Sequence, residues 1–339
     1  MKNKIYFIAE IGVNHESNIK LAKKIILDAK VAGANAVKLQ CYKAEKLASK
    51  FAKAYWDKKE EKENSQLKLY KKFDKFEFQD YLKVINYCKK IKIDFIITPF
   101  DVDSVSFFKN KVKYFKISSS DITNYPLIDA ISKTRKPIIL STGASTMTEI
   151  SAAIKLIKKN KNKNISILHC ILNYPTKRYD ANLNMIDDLK KFMLPVGISD
   201  HTSPKDSQDI LILSALKGIT IIEKHFTNNK LKKGNDHFHS FDKLDLIKFN
   251  KKLLDVRQIL GSNKKSYLQS EILSRKNARR SLFYKKNLRK NEIVKNVDLI
   301  ALRPAIGISP SEYKKIIGKK INKSKKNGDL VKFSDFFNG

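Results

Sequence analysis

The feature that most constrains the fold is a series of eight short apolar runs, separated by longer stretches with helical patterns. Short, nearly continuous apolar runs are typical of strands buried on both faces of a parallel sheet. Eight strand–helix units over roughly 240 residues are the count of a TIM barrel, and a doubly wound open sheet is the alternative. The runs are Ile5–Ala9, Ala36–Leu39, Asp94–Ile97, Tyr114–Ile117, Pro137–Leu140, Ile165–Leu168, Pro195–Ile198 and Thr220–Ile222.

The pattern changes towards the C-terminus, which predicts a second domain. A last amphipathic stretch, about 244–260, closes the predicted barrel domain at residues 1–260, and a polar linker follows over 261–277. Residues 278–339 carry short β-like runs, Ser281–Tyr284 and Leu299–Leu302, between glycine and proline turns. We expect a small β-rich domain there. Within the barrel, the long connection Tyr42–Phe76 is placed to cover an active site.

The charge balance is strongly basic, with 69 lysine and arginine residues against 34 acidic ones and a net charge of +35. Such a balance is compatible with nucleic-acid binding. The lysines are spread over almost every predicted helix and loop, however, and no nucleic-acid-binding motif is visible. We therefore expect solvated surface charge that also attracts anionic substrates, and no nucleic-acid partner.

Cysteine usage and hydropathy predict a cytoplasmic protein. Cys41, Cys88 and Cys170 lie far apart and form no CxxC pair, which argues against a disulfide framework. The N-terminal residues show no signal-peptide pattern. No stretch of about 18 apolar residues is present, so no membrane span is expected.

Polar residues follow each apolar run, and in a TIM barrel the C-terminal strand ends meet at one mouth that holds the active site. Side chains far apart in the sequence are therefore expected to converge there. They are Glu10, Lys38, Gln40, Thr98, Lys116, Ser119, Ser141, His169, Tyr174, Asp200, His201, Glu223 and His225.

Two kinds of site are indicated by these residues. His201 and His225 end neighbouring strands, and two imidazoles suit Mn²⁺, Zn²⁺ or Fe²⁺ better than Mg²⁺, although a single histidine there often has only a structural hydrogen bond. Lys38 and Lys116 would be costly to bury without an anion. Either a phosphate and a carboxylate from a substrate or neighbouring acidic side chains would satisfy them.

Several longer motifs then occur in order along almost the whole chain. The chain resembles the N-acetylneuraminate synthase family, which includes legionaminate and pseudaminate synthases, and its tail resembles that family's antifreeze-like SAF domain. The motifs are IAEIGVNHESN (Ile8–Asn18), AVKLQ (Ala36–Gln40), TPFD (Thr98–Asp101), KISSSDITNYPL (Lys116–Leu127), KPIILSTG (Lys136–Gly143), LHCILNYPT (Leu168–Thr176), GISDHT (Gly197–Thr202), EKHFT (Glu223–Thr227), GNDH (Gly234–His237), RPAIGISP (Arg303–Pro310) and IIGKKI (Ile316–Ile321).

The resemblance implies condensation of phosphoenolpyruvate with an N-acylated amino sugar, in a domain-swapped homodimer whose SAF domain caps the partner's barrel. It implies a divalent metal, usually Mn²⁺, on His201 and His225. It also implies three catalytic residues: Glu10, which positions water, and Lys38 and Lys116, which stabilise the growing charge. The implied substrate contacts are Lys38, Thr98, Lys116, Ser119 and Ser141 for phosphoenolpyruvate; Tyr174, Asp236 and Asp121 along the sugar; Arg303 reaching the N-acyl group from the partner chain; and Gln40 and Ser199 in the same substrate-binding set.

Three departures from the family pattern fall on the sugar side. Many members have Glu at the position of Asp121, and Asn, Ser or Thr at that of Leu172, and the usual RPGNG or RPGTG turn has Ala305 and Ile306 at its tip. We therefore predict that the phosphoenolpyruvate chemistry is kept and that the sugar is a 2,4-diacetamido-trideoxy hexose rather than N-acetylmannosamine. Alternative functions are another metal- and phosphoenolpyruvate-using barrel synthase and a basic polymer-binding protein.

Overall fold

A computed structural model describes residues 4–56, 58, 61–234 and 236–337, and the chain divides into two compact units, Met1–Gly261 and Ser262–Gly339. Asn235, in the GNDH motif, lies outside the described residues. None of the described helices is long and apolar enough to cross a bilayer.

Eight parallel strands close into a barrel in the first unit, with β1 beside β2 and also beside β8. The TIM-barrel prediction is confirmed, and the closed ring excludes the open-sheet alternative. The strands are β1 Tyr6–Glu10, β2 Ala36–Cys41, β3 Asp94–Pro99, β4 Tyr114–Ile117, β5 Ile138–Ser141, β6 Ile165–Cys170, β7 Val196–Asp200 and β8 Ile221–His225.

Helices connect the strands, and side chains at their first turns mark where several of them begin. Asn18 accepts a hydrogen bond from the Leu21 backbone NH at 3.0 Å, and Thr146 and Glu149 form a reciprocal cap. The helices are α1 Ile19–Val31, α2 Ala44–Leu47, α3 Gln66–Phe73, α4 Phe78–Lys90, α5 Val102–Phe108, α6 Tyr125–Lys133, α7 Met147–Lys159, α8 Met185–Leu189, α9 Pro204–Leu216, α10 Lys243–Leu260 and α11 Ile272–Ala278.

The barrel interior changes from apolar to polar along the strands. A compact apolar cluster fills its middle, formed by Ile8, Ala36, Ile96, Ile139 and Leu168. Because alternate residues of a strand face the same side, the next inward positions towards the C-terminal ends are polar. A larger apolar cluster packs the outer strand faces against the helices. The C-terminal end of the barrel interior is therefore polar, beyond this apolar middle.

Two connections differ from the regular pattern. The segment after β2 contains α2 and α3 and brings several aromatic rings towards the C-terminal end of the barrel. The stretch 261–277, predicted to be a polar linker, contains a 3₁₀ turn at Gln269–Glu271 and most of α11.

The second unit is built around a two-stranded antiparallel sheet, β9 Ser281–Tyr284 and β10 Leu299–Leu302. Both strands have the predicted bounds. The unit has its own apolar core, which includes Leu282, Val294 and Val331. Around the sheet the chain forms 3₁₀ turns and single bridges, as a small β-rich domain does.

Candidate active site

The C-terminal ends of the barrel strands enclose an inner pocket of about 360 Å³. Most of the residues predicted from the sequence line it, because they occupy inward-facing positions at or just beyond the ends of successive strands. The predicted residues in its wall are Lys38, Gln40, Thr98, Lys116, Ser119, Ser141, Tyr174, Ser199, His201 and His225.

Lys38 lies at the centre of a buried polar cluster. Its ammonium contacts the carboxylate of Glu10 and donates to Thr98 Oγ1 at 3.0 Å, while Gln40 Nε2 donates to Glu10 Oε1 at 3.2 Å. Burial opposes a charge on Lys38, but the carboxylates of Glu10 and Glu223 outweigh it and raise the pKa of this ammonium. The salt-bridge and anion-site interpretations of Lys38 therefore both fit, since the ion pair faces the pocket.

Lys116 is equally buried but is held less tightly. Its ammonium lies 3.7 Å from Glu223 Oε1 and donates to the Ile117 carbonyl at 3.2 Å. Burial lowers the pKa of Lys116 although Glu223 opposes the shift. Ser199 Oγ donates to Glu223 Oε1 at 3.0 Å, and Glu223 Oε2 has no hydrogen-bond partner among the described residues. This pair thus retains unused hydrogen-bonding capacity.

Hydroxyl groups lie beside the two ammonium groups. Ser119 Oγ accepts from the Gly143 backbone NH at 2.9 Å, which leaves its own proton for another acceptor, and Ser141 Oγ has no partner in the part of the chain that the structure describes. A Cβ at Gly143 would lie 2.9 Å from Ser119 Oγ and 3.1 Å from Cys170 Sγ. A side chain at this position would therefore disturb the serine.

Histidine rings form a second cluster on the neighbouring part of the mouth. The ring centroids of His201 and His225 are 5.3 Å apart, and Tyr174 lies against His201 at 4.2 Å. His201 Nδ1 lies 2.9 Å from the Ile171 carbonyl. When Nδ1 donates a hydrogen bond to that carbonyl, the ring proton is on Nδ1. Nε2 is then unprotonated and its lone pair can coordinate a metal ion, as in metal-binding histidines. The predicted pair is therefore close enough to share an ion.

Two further groups join these rings, and the sequence analysis assigned only one of them. Asp236, predicted to contact the sugar, has Oδ2 3.0 Å from His225 Nδ1. His239, which was missed, has its ring centroid 4.7 Å from that of His225. The ligand atoms of His225, Asp236 and His239 lie within 4.8 Å of one another. The only signal for His239 was its place three residues after Asp236 beyond β8.

Charge and protonation in this cluster suit a cation. Burial opposes ionisation of Asp236, but the neighbouring His225, whose Nδ1 lies 3.0 Å from its carboxylate, holds the pKa of this carboxyl well below its usual range. Burial, with His225 nearby, also lowers the pKa of His239 well below its ordinary value, so the ring is neutral and able to bind a metal. An ionised carboxylate beside the neutral ring of His239 and the ring of His225 is a donor set for a divalent first-row metal.

A larger outer pocket of about 1720 Å³ adjoins the inner one and shares Gln40, Tyr174 and His225 with it. The connection after β2 contributes aromatic walls, which the sequence analysis anticipated only as a covering loop. Asp121 and Asp236 also line this pocket, and the carboxylate of Asp121 accepts from Asn124 Nδ2 at 3.0 Å. Its other lining groups are apolar or aromatic at Val13, Leu47, Tyr55, Trp56, Leu69, Tyr70, Phe73, Phe100, Leu172 and Phe238, and polar at Glu61, Gln66, Ser118 and Ser120.

Glu10, His169 and Asp200 were also expected at the barrel mouth, but they do not line the inner pocket. Glu10 lies behind the wall of the inner pocket, where its carboxylate contacts Lys38 and Gln40. Arg303 belongs to the second unit, where its side chain is exposed, and its role stays a prediction. Cys41, Cys88 and Cys170 are free and buried.

Comparison with known proteins places this geometry in one family. Residues 25–265 match the NeuB family and residues 279–336 match the SAF domain. The N,N'-diacetyllegionaminic acid synthase of Campylobacter jejuni is 37% identical over 97% of this chain and 99% of that protein. The pseudaminic acid synthase of the same species is 31% identical over 98% of this chain and 97% of its own length.

A solved structure supports the same assignment. The N-acetylneuraminic acid synthetase of Leptospira borgpetersenii superposes with a TM-score of 0.69 and 34% sequence identity, covering 80% of this chain and 90% of that one. Since the family match spans most of the barrel and the relatives are similar over nearly their full length, this chain belongs to the NeuB family and carries a SAF domain after its barrel.

Proposed function

We propose that this protein condenses phosphoenolpyruvate with the open-chain form of an N-acylated amino sugar and releases phosphate, giving a sialic acid-type nonulosonate. One observation supports this most: two buried ammonium groups and free hydroxyls adjoin a histidine–carboxylate cluster, and this inner pocket leads to a larger one. The relatives named legionaminic and pseudaminic acid synthases make products of this class.

Phosphoenolpyruvate is assigned to the inner pocket, where its three negative charges would meet Lys38 and Lys116. Thr98, Ser119 and Ser141 would donate hydrogen bonds to its phosphate and carboxylate. These groups are fixed by the barrel before the substrate arrives, so they can stabilise charge that develops during the reaction without reorganising. Gln40 and Ser199 would hold Glu10 and Glu223 in place through their hydrogen bonds.

The reaction forms one carbon–carbon bond and one carbon–oxygen bond, the latter to water, and breaks the carbon–oxygen bond to phosphate. The methylene carbon of phosphoenolpyruvate bonds to the aldehyde carbon of the sugar, whose oxygen takes up one proton and becomes a hydroxyl group. Water then adds to the former enol carbon, and the bond from that carbon to the phosphate oxygen breaks. Burial raises the pKa of Glu10 although Lys38 opposes the shift, so this carboxylate is suited to accept the proton of the water.

The same site fits a divalent cation, for which we propose Mn²⁺, with His201 and His225 as ligands. When bound, the cation supplies Lewis acidity towards the aldehyde oxygen. Tyr174, whose ring packs at a tilt against His201, would keep the sugar carbonyl oriented towards these rings.

The outer pocket favours a sugar with apolar substituents. Leu172, Tyr55 and Trp56 line it beside Asp121 and Asp236. Apolar and aromatic walls bind methyl and acetyl groups better than the extra hydroxyls of N-acetylmannosamine, because desolvated hydroxyls need hydrogen-bond partners. We therefore propose a 2,4-diacetamido-trideoxy hexose as the substrate.

A phosphate-release assay with phosphoenolpyruvate, Mn²⁺ and a panel of N-acyl hexosamines tests both parts of this proposal. We expect phosphate and a nonulosonate only with the diacetamido sugar, and none from the His201→Ala control. Turnover of N-acetylmannosamine alone would overturn the sugar assignment. Release of phosphate without a nine-carbon product would overturn the reaction.

We also propose that the enzyme is a cytoplasmic, domain-swapped homodimer in which Arg303 reaches the sugar's N-acyl group in the partner's barrel. Mixing the inactive variants His201→Ala and Arg303→Ala tests this arrangement. In a swapped dimer, random exchange of subunits restores about a quarter of the sites. If Arg303 acted within its own chain, every site would keep one defect and no activity would return.

A further inference from the structure

His239 is buried in a way that its surroundings do not explain. It ends the 3₁₀ turn His237–His239 and is 0% exposed. Both of its ring nitrogens lack a hydrogen-bond partner in the described part of the chain. Buried polar groups in folded proteins are almost always paired. The ring therefore faces something that the described residues do not supply.

The neighbouring groups show where such a ligand would sit. His239 Nε2 lies 4.0 Å from Asp236 Oδ1, and the His239 and His225 ring centroids are 4.7 Å apart. His225 Nδ1 lies 3.0 Å from Asp236 Oδ2 but makes no hydrogen bond to any residue that the structure describes. Nitrogen ligands about 2.0–2.1 Å from a tetrahedral ion lie about 3.3 Å apart. These three side chains therefore need only a small closure to surround one cation.

We propose that His239 is a protein ligand of the divalent cation, together with His225 and Asp236, so that the metal site extends beyond the His201–His225 pair. The inference deepens the metal part of the proposed function and does not depend on which sugar is used.

The enlarged set changes which ions the site prefers. The set contains two imidazoles and a carboxylate, and His201 adds a third imidazole whose ring centroid lies 5.3 Å from that of His225. Hard cations prefer oxygen ligands and do not favour so many nitrogen ligands. The site should hold Co²⁺, Zn²⁺ or Fe²⁺ much more tightly than Mg²⁺. The order of affinity for first-row ions should follow donor type and not ionic size alone.

Cobalt titration of the metal-stripped full-length protein tests the proposal without any substrate. We expect the native protein to bind Co²⁺ with visible absorption bands of low-symmetry nitrogen coordination. His239→Phe keeps a planar ring without donor atoms and should weaken Co²⁺ binding at least about tenfold and change those bands. His169→Gln is the matched control, because His169 is also buried but its Nε2 contacts the Ala181 carbonyl at 2.8 Å.

A stability measurement separates a metal ligand from a structural histidine. Removing an unpaired buried imidazole should leave the thermal midpoint of metal-free His239→Phe equal to or above that of the native protein, and the stabilisation by added Co²⁺ should fall. Asp236→Asn gives an independent variant if the phenylalanine does not fit, with the same expected loss of Co²⁺ affinity. Native affinity and spectrum in either variant would overturn the proposal.

The outcome can be distinguished from a failure of the proposed function. Co²⁺ binding that depends on His239, in a protein that forms no nonulosonate, would overturn only the proposed reaction. Nonulosonate formation combined with unchanged Co²⁺ binding in His239→Phe would overturn only the role of His239.

Discussion

Two buried ionic networks lie next to each other in this barrel and have opposite characters. On β8, Glu223 faces the inner pocket, whereas the next residue, Lys224, faces the layer between strands and helices. The alternation of a strand separates them by one residue. Both networks contain lysine and carboxylate groups with almost no exposure, so burial of charge alone does not distinguish a functional site from a structural one.

In the network around Lys224 and Asp200, here called the outer network, both charged groups have several hydrogen-bond partners. Lys224 Nζ lies 2.9 Å from Asp200 Oδ2 and donates to the Thr202 carbonyl at 2.6 Å. Asp200 also accepts from the Thr202 NH at 3.1 Å and from the Ser207 hydroxyl at 2.5 Å. These bonds tie the end of β7 to the start of α9 and keep the following His201 in place.

The inner network is incomplete by comparison. Lys116 is 3.7 Å from its carboxylate partner, and Glu223 Oε2 and Ser141 Oγ have no hydrogen-bond partner in the described chain. An incomplete buried network costs free energy that a bound anion or cation can recover. The difference indicates that unused hydrogen-bonding capacity facing a cavity identifies the functional network here.

The largest effect is expected when the outer network is broken. Lys224→Met leaves Asp200 buried without its cation and should lower the free energy of unfolding by about 3–5 kcal/mol, measured by denaturant titration. The double variant Lys224→Met, Asp200→Leu should recover most of this loss, because neither charge then remains buried. A double variant as unstable as the single one would contradict the structural role given to this pair.

Substitutions in the inner network, formed by Lys116, Glu223 and the groups around them, should instead lower the activity. Lys116→Met removes a charge that we assign to phosphoenolpyruvate, and should lower kcat/KM for this substrate by about 10²–10³-fold. The free energy of unfolding should change much less than in Lys224→Met, since Lys116 has weaker contacts in the free protein. Parallel kinetic and denaturant measurements on both variants test the contrast, and a loss of stability in Lys116→Met without loss of kcat/KM would reverse it.

Matched serines give a smaller and sharper test. Ser207 donates to Asp200 in the outer network, and Ser199 donates to Glu223 in the inner one. Ser207→Ala should cost about 1.5–3 kcal/mol of stability, as expected for a hydrogen bond to a charged group. Ser199→Ala should cost less, because water in the pocket can replace the hydroxyl, and should instead raise KM for phosphoenolpyruvate several-fold. Equal losses of stability in the two variants would contradict the comparison.

The same comparison explains how far the sequence was informative. The apolar runs predicted every barrel strand, but most stopped one or two residues early. The reason is that residues such as Glu10, Ser141 and Asp200 are polar and yet belong to the strands. Polar residues at strand ends were the clue to the site, and their chemistry interrupts the apolar pattern by which a strand is recognised.

Residues on irregular connections could not be found in this way. His239 lies in a 3₁₀ turn and Trp56 in the long connection after β2, where no periodicity fixes the direction of a side chain. Glu223 was noted at its strand end, but the sequence could not show that it pairs with Lys116 across the barrel and with Ser199 on the neighbouring strand. Such pairs depend on the closure of the barrel and on the register of its strands.

The smallest predicted effect concerns pH and separates the two inner lysines. Burial lowers the pKa of Lys116, whereas its carboxylate neighbours raise that of Lys38. The pKa of Lys116 is lower in the folded protein than in the unfolded chain, so charged Lys116 disfavours the folded state. This penalty is lost as pH rises from the lowered folded pKa towards the ordinary lysine value, and stability improves over that window.

Binding of phosphoenolpyruvate needs the charged form of Lys116, so affinity should fall over the same pH window, by up to about tenfold per pH unit. Lys116→Arg stays charged throughout and should flatten this alkaline limb in a titration of phosphoenolpyruvate affinity against pH. An unchanged limb in the arginine variant would assign the titration to another group.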